Sequence, residues 1–509
     1  MIVSYKNNRL VPAVIVATCI CFVYYLVDPS VDNYGASLPD WRIQNVPATT
    51  TSSSSSARAR PTTQIWSEPS VAVETATPSS KHESGDEHGS PNHSSDPNHL
   101  SPEDVLLVMK TGSTSMWKRL LVHLSTSLAP ERIPLKNTVI YSDKPETIGT
   151  FNIIDVLANM TEATKARPDF DVYRQQPEYD AHNVYVEAAG VDGDNFGPPG
   201  GWIIDKYKFM PLMAHAGENW PKAKWYIYME DDTYLFLPNV LAYLDKFDWR
   251  KPHYLGSFAA KSNITFAHGG AGFAISRGAW ERSFGENPKL SDEYEEYTAD
   301  HCCGDQVLGH ALNRYGVEFG ENGGDGKFTW GFNPIVHWRF AFSQWNWCSP
   351  LLSWHKVHNR DVARYYELEN KWNEKHGRAG GSATAAAGML HRDFFLEMIA
   401  PDLKKRAEWW DNLSELYQVS SGNRASPPVP ETKHDLELWK KAWESTDACE
   451  AACEGWEKCV QWSYVEDLCK MDDKMMMGQG YAPAMSERKT ALKRTSGWLT
   501  DRLDKWSCE

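Results

Sequence analysis

The sequence predicts an α/β head, with a membrane anchor and stem in front and a small disulfide-rich α+β unit behind. Three observations carry this prediction. A strand–helix–strand order runs from Val105 to Asp143, and a further apolar strand, Trp225 to Met229, ends on three acidic residues. An uncharged run from Leu10 to Val27 is followed by a long tract of Ser, Thr and Pro. Four of the ten Cys fall between 449 and 469.

The anchor comes first. LVPAVIVATCICFVYYLV spans residues 10–27. At ~1.5 Å per residue it nearly crosses a bilayer core of ~30 Å. Lys6 and Arg9 precede it, and Asp28 and Asp32 follow. The positive-inside bias keeps residues 1–9 in the cytosol and sends the rest to the lumen. A cleaved signal peptide is the competing reading. Its apolar stretch would be long, and no small-x-small site follows Val27. Residues 28–100 then read as a stem, because TTTSSSSSARARPTT and its Ser-, Pro- and His-rich continuation cannot bury enough apolar surface to fold. Ser/Thr with Pro suits an extended, O-glycosylated stalk, and a plain flexible linker would behave almost identically.

Outside the anchor there are eight Cys, namely Cys302, Cys303, Cys348, Cys449, Cys453, Cys459, Cys469 and Cys508. An even count fits disulfides in an oxidising compartment. Sequons at Asn92, Asn159, Asn263 and Asn412 agree with that topology. Net charge is -15, from 67 acidic and 52 basic residues, and no basic stripe interleaves with aromatics. Nucleic acid is therefore not an expected partner.

The head is read over 101–419. VLLVM (105–109) and TVIY (138–141) are buried strands flanking a helix over 117–128. A helix over 205–219 leads to WYIYM. Glu230-Asp231-Asp232 follows that strand, and ligands of open α/β sheets bind beyond the carboxyl ends of strands. Acidic triplets usually lie on solvated faces. Here the triplet sits between two apolar segments, WYIYM and YLFLPNVLAYL. Carboxylate oxygens suit Mn²⁺ or Mg²⁺, which offset charge on a leaving diphosphate.

Three further features add to it. In HGGAGFAIS (268–276), Gly269, Gly270 and Gly272 let backbone approach a ligand closely, or simply make a tight turn. In CGDQVLG (303–309), Asp305 is either a first-turn helix charge or a general base. In CSPLLSWHKV (348–357), His355 is a candidate third metal ligand, with His337 as competitor.

The order of these motifs resembles the Fringe and core 1 β1,3-galactosyltransferase group of inverting GT-A glycosyltransferases, over residues 105–357. VLLVMKTG resembles a first strand ending Val-Lys-Thr, and Arg119 falls at the spacing of a donor-contacting Arg. TVIYSD resembles a strand ending Thr-Asp, with Ser142 for Thr. KWYIYMEDDTY resembles the Asp-Asp-Asp-Thr-Tyr segment, with Glu230 at its first position. HGGAGFAIS is similar to the acceptor-side glycine loop, and CSPLLSWHKV to a Phe-His-Tyr-Val ending, with Trp354 for Phe.

The resemblance implies a GT-A, Rossmann-like fold and transfer of a hexose or N-acetylhexosamine from a UDP-sugar to a glycan hydroxyl, β1,3-linked as in that group. It implies Asp305 as base, and Glu230, Asp232 and His355 around Mn²⁺ or Mg²⁺. Thr111, Arg119, Asp143 and Asp231 would hold the nucleotide sugar. A Golgi location as a type II membrane protein follows from the same resemblance, which also leaves room for a homodimer.

Residues 420–439 (SSGNRASPPVP onward) read as a linker before a Cys-rich unit over 440–509. ACEAACEGWEKCVQWSYVEDLCKM resembles PAN/apple modules, which implies Cys449–Cys469 and Cys453–Cys459 bridges. Zinc is the competing reading, and Cys508 is left to pair with Cys302, Cys303 or Cys348. Two rival functions remain. One is an inactive glycan-binding protein that uses head and module. The other is a structural surface glycoprotein, which explains the anchor and stem but not the ordered motifs.

Overall fold

The computed structural model describes residues 99–182, 200–321, 331–376, 388–481 and 492–508. The expected anchor, the stem up to residue 98 and Asn92 lie outside them. The described residues belong to one compact unit, Ser90–Glu509. Among them no helix is long and apolar enough to cross a membrane.

The head opens with β1 (Val105–Lys110), α1 (Met116–Leu124), β2 (Thr138–Ser142), β3 (Glu146–Ile148) and β4 (Phe151–Asp155). It continues with α2 (Phe209–Asn219), β5 (Trp225–Glu230), β6 (Tyr234–Leu235), α3 (Leu237–Leu244), β7 (Tyr254–Gly256), β8 (Phe258–Lys261), β9 (Ile264–Ala267) and β10 (Phe273–Ser276). It closes with α4 (Gly304–Arg314), β11 (Phe319–Glu321), β12 (Phe332–Asn333), β13 (Ser353–Trp354) and α5 (Asn359–Lys375). The helix expected over 117–128 is α1, and the chain turns after Leu124. The helix expected over 205–219 begins as a 3₁₀ turn, Lys206–Lys208, before α2.

Eight described strands form one sheet in the order β11-β7-β10-β5-β1-β2-β4-β3. β1 is central because its side chains are apolar on both faces. Leu106 and Val108 join a core with Leu212 and Met213 of α2 and Val307 and Leu308 of α4. Val105, Leu107 and Met109 join another, with Leu120 of α1 and Val240 and Leu241 of α3. Side chains alternate along a strand, so a continuous apolar run is what a sheet covered on both faces requires. Each such side chain contributes ~1.5–3 kcal/mol when buried.

Register then assembles one edge. β1 runs parallel to β2 and β5, with Lys110 opposite Tyr141 and Glu230. The carboxyl ends of all three strands therefore meet. β10 is antiparallel to β5, with Phe273 opposite Tyr228, so the glycine loop before β10 arrives at the same edge.

The C-terminal part comprises β14 (Arg406–Glu408), β15 (Trp410–Asp411), β16 (Tyr417–Ser420), α6 (Leu436–Lys441), α7 (Thr446–Glu454), β17 (Gln461–Val465), β18 (Leu468–Asp472), β19 (Gln479–Gly480) and β20 (Thr495–Trp498). Its main sheet runs β14-β20-β17-β18-β16. This corrects the boundaries drawn from sequence. Strands at 406–408 and 417–420, placed with the head at 101–419, pair within the C-terminal sheet. The 420–439 stretch is not a free linker either. Trp439 is buried and its indole donates to Pro428 O at 3.0 Å.

The two parts share a core. Tyr234, Phe236 and Trp354 pack in one cluster with Val460, Met475, Trp498 and Leu503. Phe342 and Met475 exchange backbone hydrogen bonds of 2.9 and 2.8 Å. Among the described residues four disulfides are formed, joining Cys302–Cys303, Cys348–Cys508, Cys449–Cys469 and Cys453–Cys459. These pairings replace the zinc alternative and give Cys508 its partner. The Asn412 sequon is also corrected. Its side chain is buried, and Nδ2 donates to Trp462 O at 3.0 Å and Gly497 O at 3.3 Å, so it is closed to a glycan in the folded chain. Asn159 and Asn263 are exposed.

Candidate active site

Glu230, Asp232 and His355 each turn one donor atom inward, and the three atoms lie within 4.8 Å of one another. Glu230 comes from the end of β5, and Asp232 from the turn beyond it. His355 arrives from far along the chain. β13 pairs antiparallel with β6, setting Trp354 opposite Tyr234. Val357 N then donates to Asp232 O at 2.9 Å. His355 Nδ1 lies 2.9 Å from Pro334 O. A carbonyl only accepts, so Nδ1 carries a proton and Nε2 faces the carboxylates. Burial lowers the ring's pKa, but Asp232 and Glu230 outweigh it and raise it, and the neutral ring is the form that would offer a cation its Nε2 lone pair.

These residues fit a divalent cation. Asp232 Oδ1 is buried with no hydrogen-bond donor, 3.5 Å from His355 Nε2. Carboxylate oxygens with one imidazole form a donor set for a hard divalent cation. Charge agrees. Asp143, Asp205, Glu230, Asp231, Asp232 and Asp305 outnumber Lys110, Lys208 and Arg119. Burial pushes the Glu230 carboxyl up, with Lys110 opposing. Burial also pushes Asp232 up, but His355 and Arg119 outweigh it and hold that carboxyl well below the usual range.

The glycine loop touches Glu230, His355 and Asp305. A β-carbon on Gly269 would lie 3.1 Å from Glu230 Oε1, and one on Gly270 2.2 Å from His355 Nε2. Gly272 has φ +78°, a conformation open to glycine, and abuts Tyr228 O. Gly269 N donates to Asp305 Oδ2 at 2.8 Å, and Gln306 N to Asp305 Oδ1 at 2.9 Å. Asp305 thus sits in the first turn of α4 yet faces the loop that lies against Glu230 and His355. Burial raises its pKa, and the two backbone N–H groups oppose that rise.

Thr111, Arg119 and Asp231 meet in one cluster. Asp231 Oδ2 accepts from Thr111 Oγ1 and Ser115 Oγ, each at 2.6 Å. One Arg119 nitrogen bridges Asp232 Oδ2 at 3.1 Å and Asp231 Oδ1 at 3.5 Å. Asp143 lies beside the cluster but is fully buried. It pairs with Lys208 at 2.8 Å, and accepts from Ser113 N, Ser113 Oγ and Gln176. Its immediate work is to hold the 111–115 loop. His337 is not in the centre. It is buried among aromatics, bonded to the Tyr365 hydroxyl, and burial lowers its pKa to about 4.

Residues 100–317 match the Fringe-like family model.

The Fringe-like family is one of glycosyltransferases, which use UDP-sugars and often a metal. The matched segment contributes Glu230, Asp232, the glycine loop and Asp305. His355 lies beyond its end, in the part of the chain that shares a core with the C-terminal sheet.

Sequence reasoning missed several residues of this centre. Lys110 is buried between Asp205 and Glu230, contacting Glu230 Oε1 at 3.2 Å. Burial alone would lower its pKa, but the two carboxylates raise it and keep it cationic. Lys208 joins Asp205, Asp143 and Thr111 O. A lysine closing an apolar strand, as Lys110 does, was the one available signal. His123 is fully buried, and burial lowers its pKa to about 4.

Proposed function

We propose that the chain is an inverting, UDP-sugar-dependent hexosyltransferase of GT-A type that forms a β1,3 link to a glycan hydroxyl. The observation that carries this reading is the glycine loop. It joins a proton-accepting carboxylate, Asp305, to the Glu230, Asp232 and His355 donors through two consecutive residues, Gly269 and Gly270.

Asp305 takes the proton from the acceptor hydroxyl, and that oxygen attacks the anomeric carbon on the face opposite the nucleotide. A base of this kind is worth roughly 10²–10⁴ in rate. A raised pKa makes Asp305 a stronger base than an ordinary aspartate. Thr111, Arg119 and Asp231 bind the donor at the strand edge. Glu230, Asp232 and His355 would hold Mn²⁺ or Mg²⁺, which when bound offsets charge on the departing diphosphate. The buried pairs of Lys110 and Lys208 keep the carboxylate cluster ordered before substrate arrives.

The uncharged 10–27 run and the stem support a type II Golgi membrane protein with a lumenal head. The C-terminal unit is read as PAN/apple-like. Intact Asp231, Asp232 and Asp305 favour turnover over glycan binding alone. UDP release from a panel of UDP-sugars, with and without Mn²⁺, tests the reading. Metal-dependent release from at least one donor is expected. Failure to bind or cleave any of them, at any metal concentration, overturns it.

A further inference from the structure

The structure assigns His123 a positioning role: its imidazole locks the peptide between Asp231 and Asp232 and thereby fixes both carboxylates. The inference rests on the reading that these two residues serve the nucleotide sugar and its cation.

His123 lies in the last turn of α1, one helical turn beyond Arg119, so both project toward the acidic motif. The ring is fully buried. Nε2 is 3.0 Å from Asp231 O, and Nδ1 is 2.9 Å from Ser127 Oγ. The Asp231 carbonyl can only accept, so Nε2 carries the hydrogen. Nδ1 is left as acceptor for the Ser127 hydroxyl, and a neutral ring is satisfied at both nitrogens. The carbonyl therefore fixes the tautomer, and the Ser127 hydroxyl, donating to Nδ1, holds the ring in that orientation.

The remaining carbonyls of the motif have backbone partners. Thr233 N donates to Glu230 O at 3.0 Å, and Val357 N to Asp232 O at 2.9 Å. Asp231 O is held by a side chain instead. Without His123 a buried carbonyl loses its donor, and a peptide rotation toward another donor would swing the Asp232 carboxylate off its place. Arg119 and His123, four residues apart on one helix, thus grip the motif by side chain and by backbone.

Mn²⁺ binding by the full chain in the presence of UDP, followed by electron paramagnetic resonance, tests this alongside thermal melting. His123→Leu fills the space without a donor and should weaken Mn²⁺ at least tenfold, in line with losses from outer-shell partners. His123→Gln, whose amide N–H reaches the same carbonyl, should recover affinity to within threefold. Ser127→Ala should fold normally and weaken Mn²⁺ by about threefold, the smaller effect expected when only the hydrogen bond that orients the ring is lost. Equal losses in the Leu and Gln variants, tracking equal falls in melting temperature, assign the effect to packing and overturn the role. If the Leu variant does not fold, wild-type affinity in Ser127→Ala overturns it instead. A wild-type chain that binds neither Mn²⁺ nor UDP removes the glycosyltransferase reading, and this role with it. Binding by the wild type with no change in any variant removes the role alone.

Discussion

Gly270 lies against the imidazole of His355 so closely that a β-carbon would stand 2.2 Å from Nε2. That is the nitrogen turned toward Asp232 and Glu230. Gly270→Ala should therefore push the ring off the donor set while leaving the sheet intact. We expect Mn²⁺ affinity to fall at least tenfold with little change in melting temperature, as for other displaced metal-site partners. A Mn²⁺ titration by calorimetry that matches wild type would contradict this packing argument.

Asp305 makes two linked predictions. Asp305→Asn should cut sugar transfer by ~10²–10⁴ while UDP still binds. The folded pKa is raised by burial, and the base works only when deprotonated. Activity must therefore fall as pH drops through a value above the ordinary ~4 of aspartate. The acid limb of the kcat/KM profile should lie there and should be absent from the residual activity of Asp305→Asn. A limb at or below the ordinary value would show that some other group controls it.

The Cys348–Cys508 bridge spans 160 residues of sequence and ties the chain end to the segment leading into His355. Removing such a bridge typically costs about 2–5 kcal/mol. Cys508→Ser should lower the urea midpoint accordingly. Truncation after residue 405 should fail to give soluble protein, because it strips Val460, Met475 and Trp498 from the core that holds Trp354. A soluble truncated head with wild-type Mn²⁺ affinity would refute the shared-core account.

Glycan mapping offers a separate check. Expressed through a secretory host, the chain should carry glycans at Asn159 and Asn263 and none at Asn412. Asn263 sits at an exposed hairpin turn, with Ser262 and Asn263 both at positive φ. Asn412 spends its Nδ2 on two buried carbonyls. Peptide mass mapping with endoglycosidase treatment distinguishes these sites, and an occupied Asn412 would count against the C-terminal packing.

Much of the head was legible because its signals are local. VLLVM and WYIYM are apolar on both faces, so they had to be central strands, and a strand's carboxyl end is where an acidic triplet gains meaning. The ordered motifs placed Thr111, Arg119, Asp231, Asp232, Asp305 and the glycine loop in one centre. The joint between head and C-terminal unit was not legible. SSGNRASPPVP has the composition of a linker, yet strands on both of its sides enter one sheet, and only pairing partners distant in sequence reveal that.

By itself, the sequence determined which segments are buried strands, where an acidic cluster interrupts them, and that eight Cys stand outside the first apolar run. Tertiary structure alone decided the rest. It paired Lys110 with Glu230, set His123 on a carbonyl and buried Asn412. Periodicity and propensity act over a few neighbours, whereas these contacts depend on sheet register and on which apolar faces meet. Those are properties of the whole packed chain and have no counterpart in any short stretch of it.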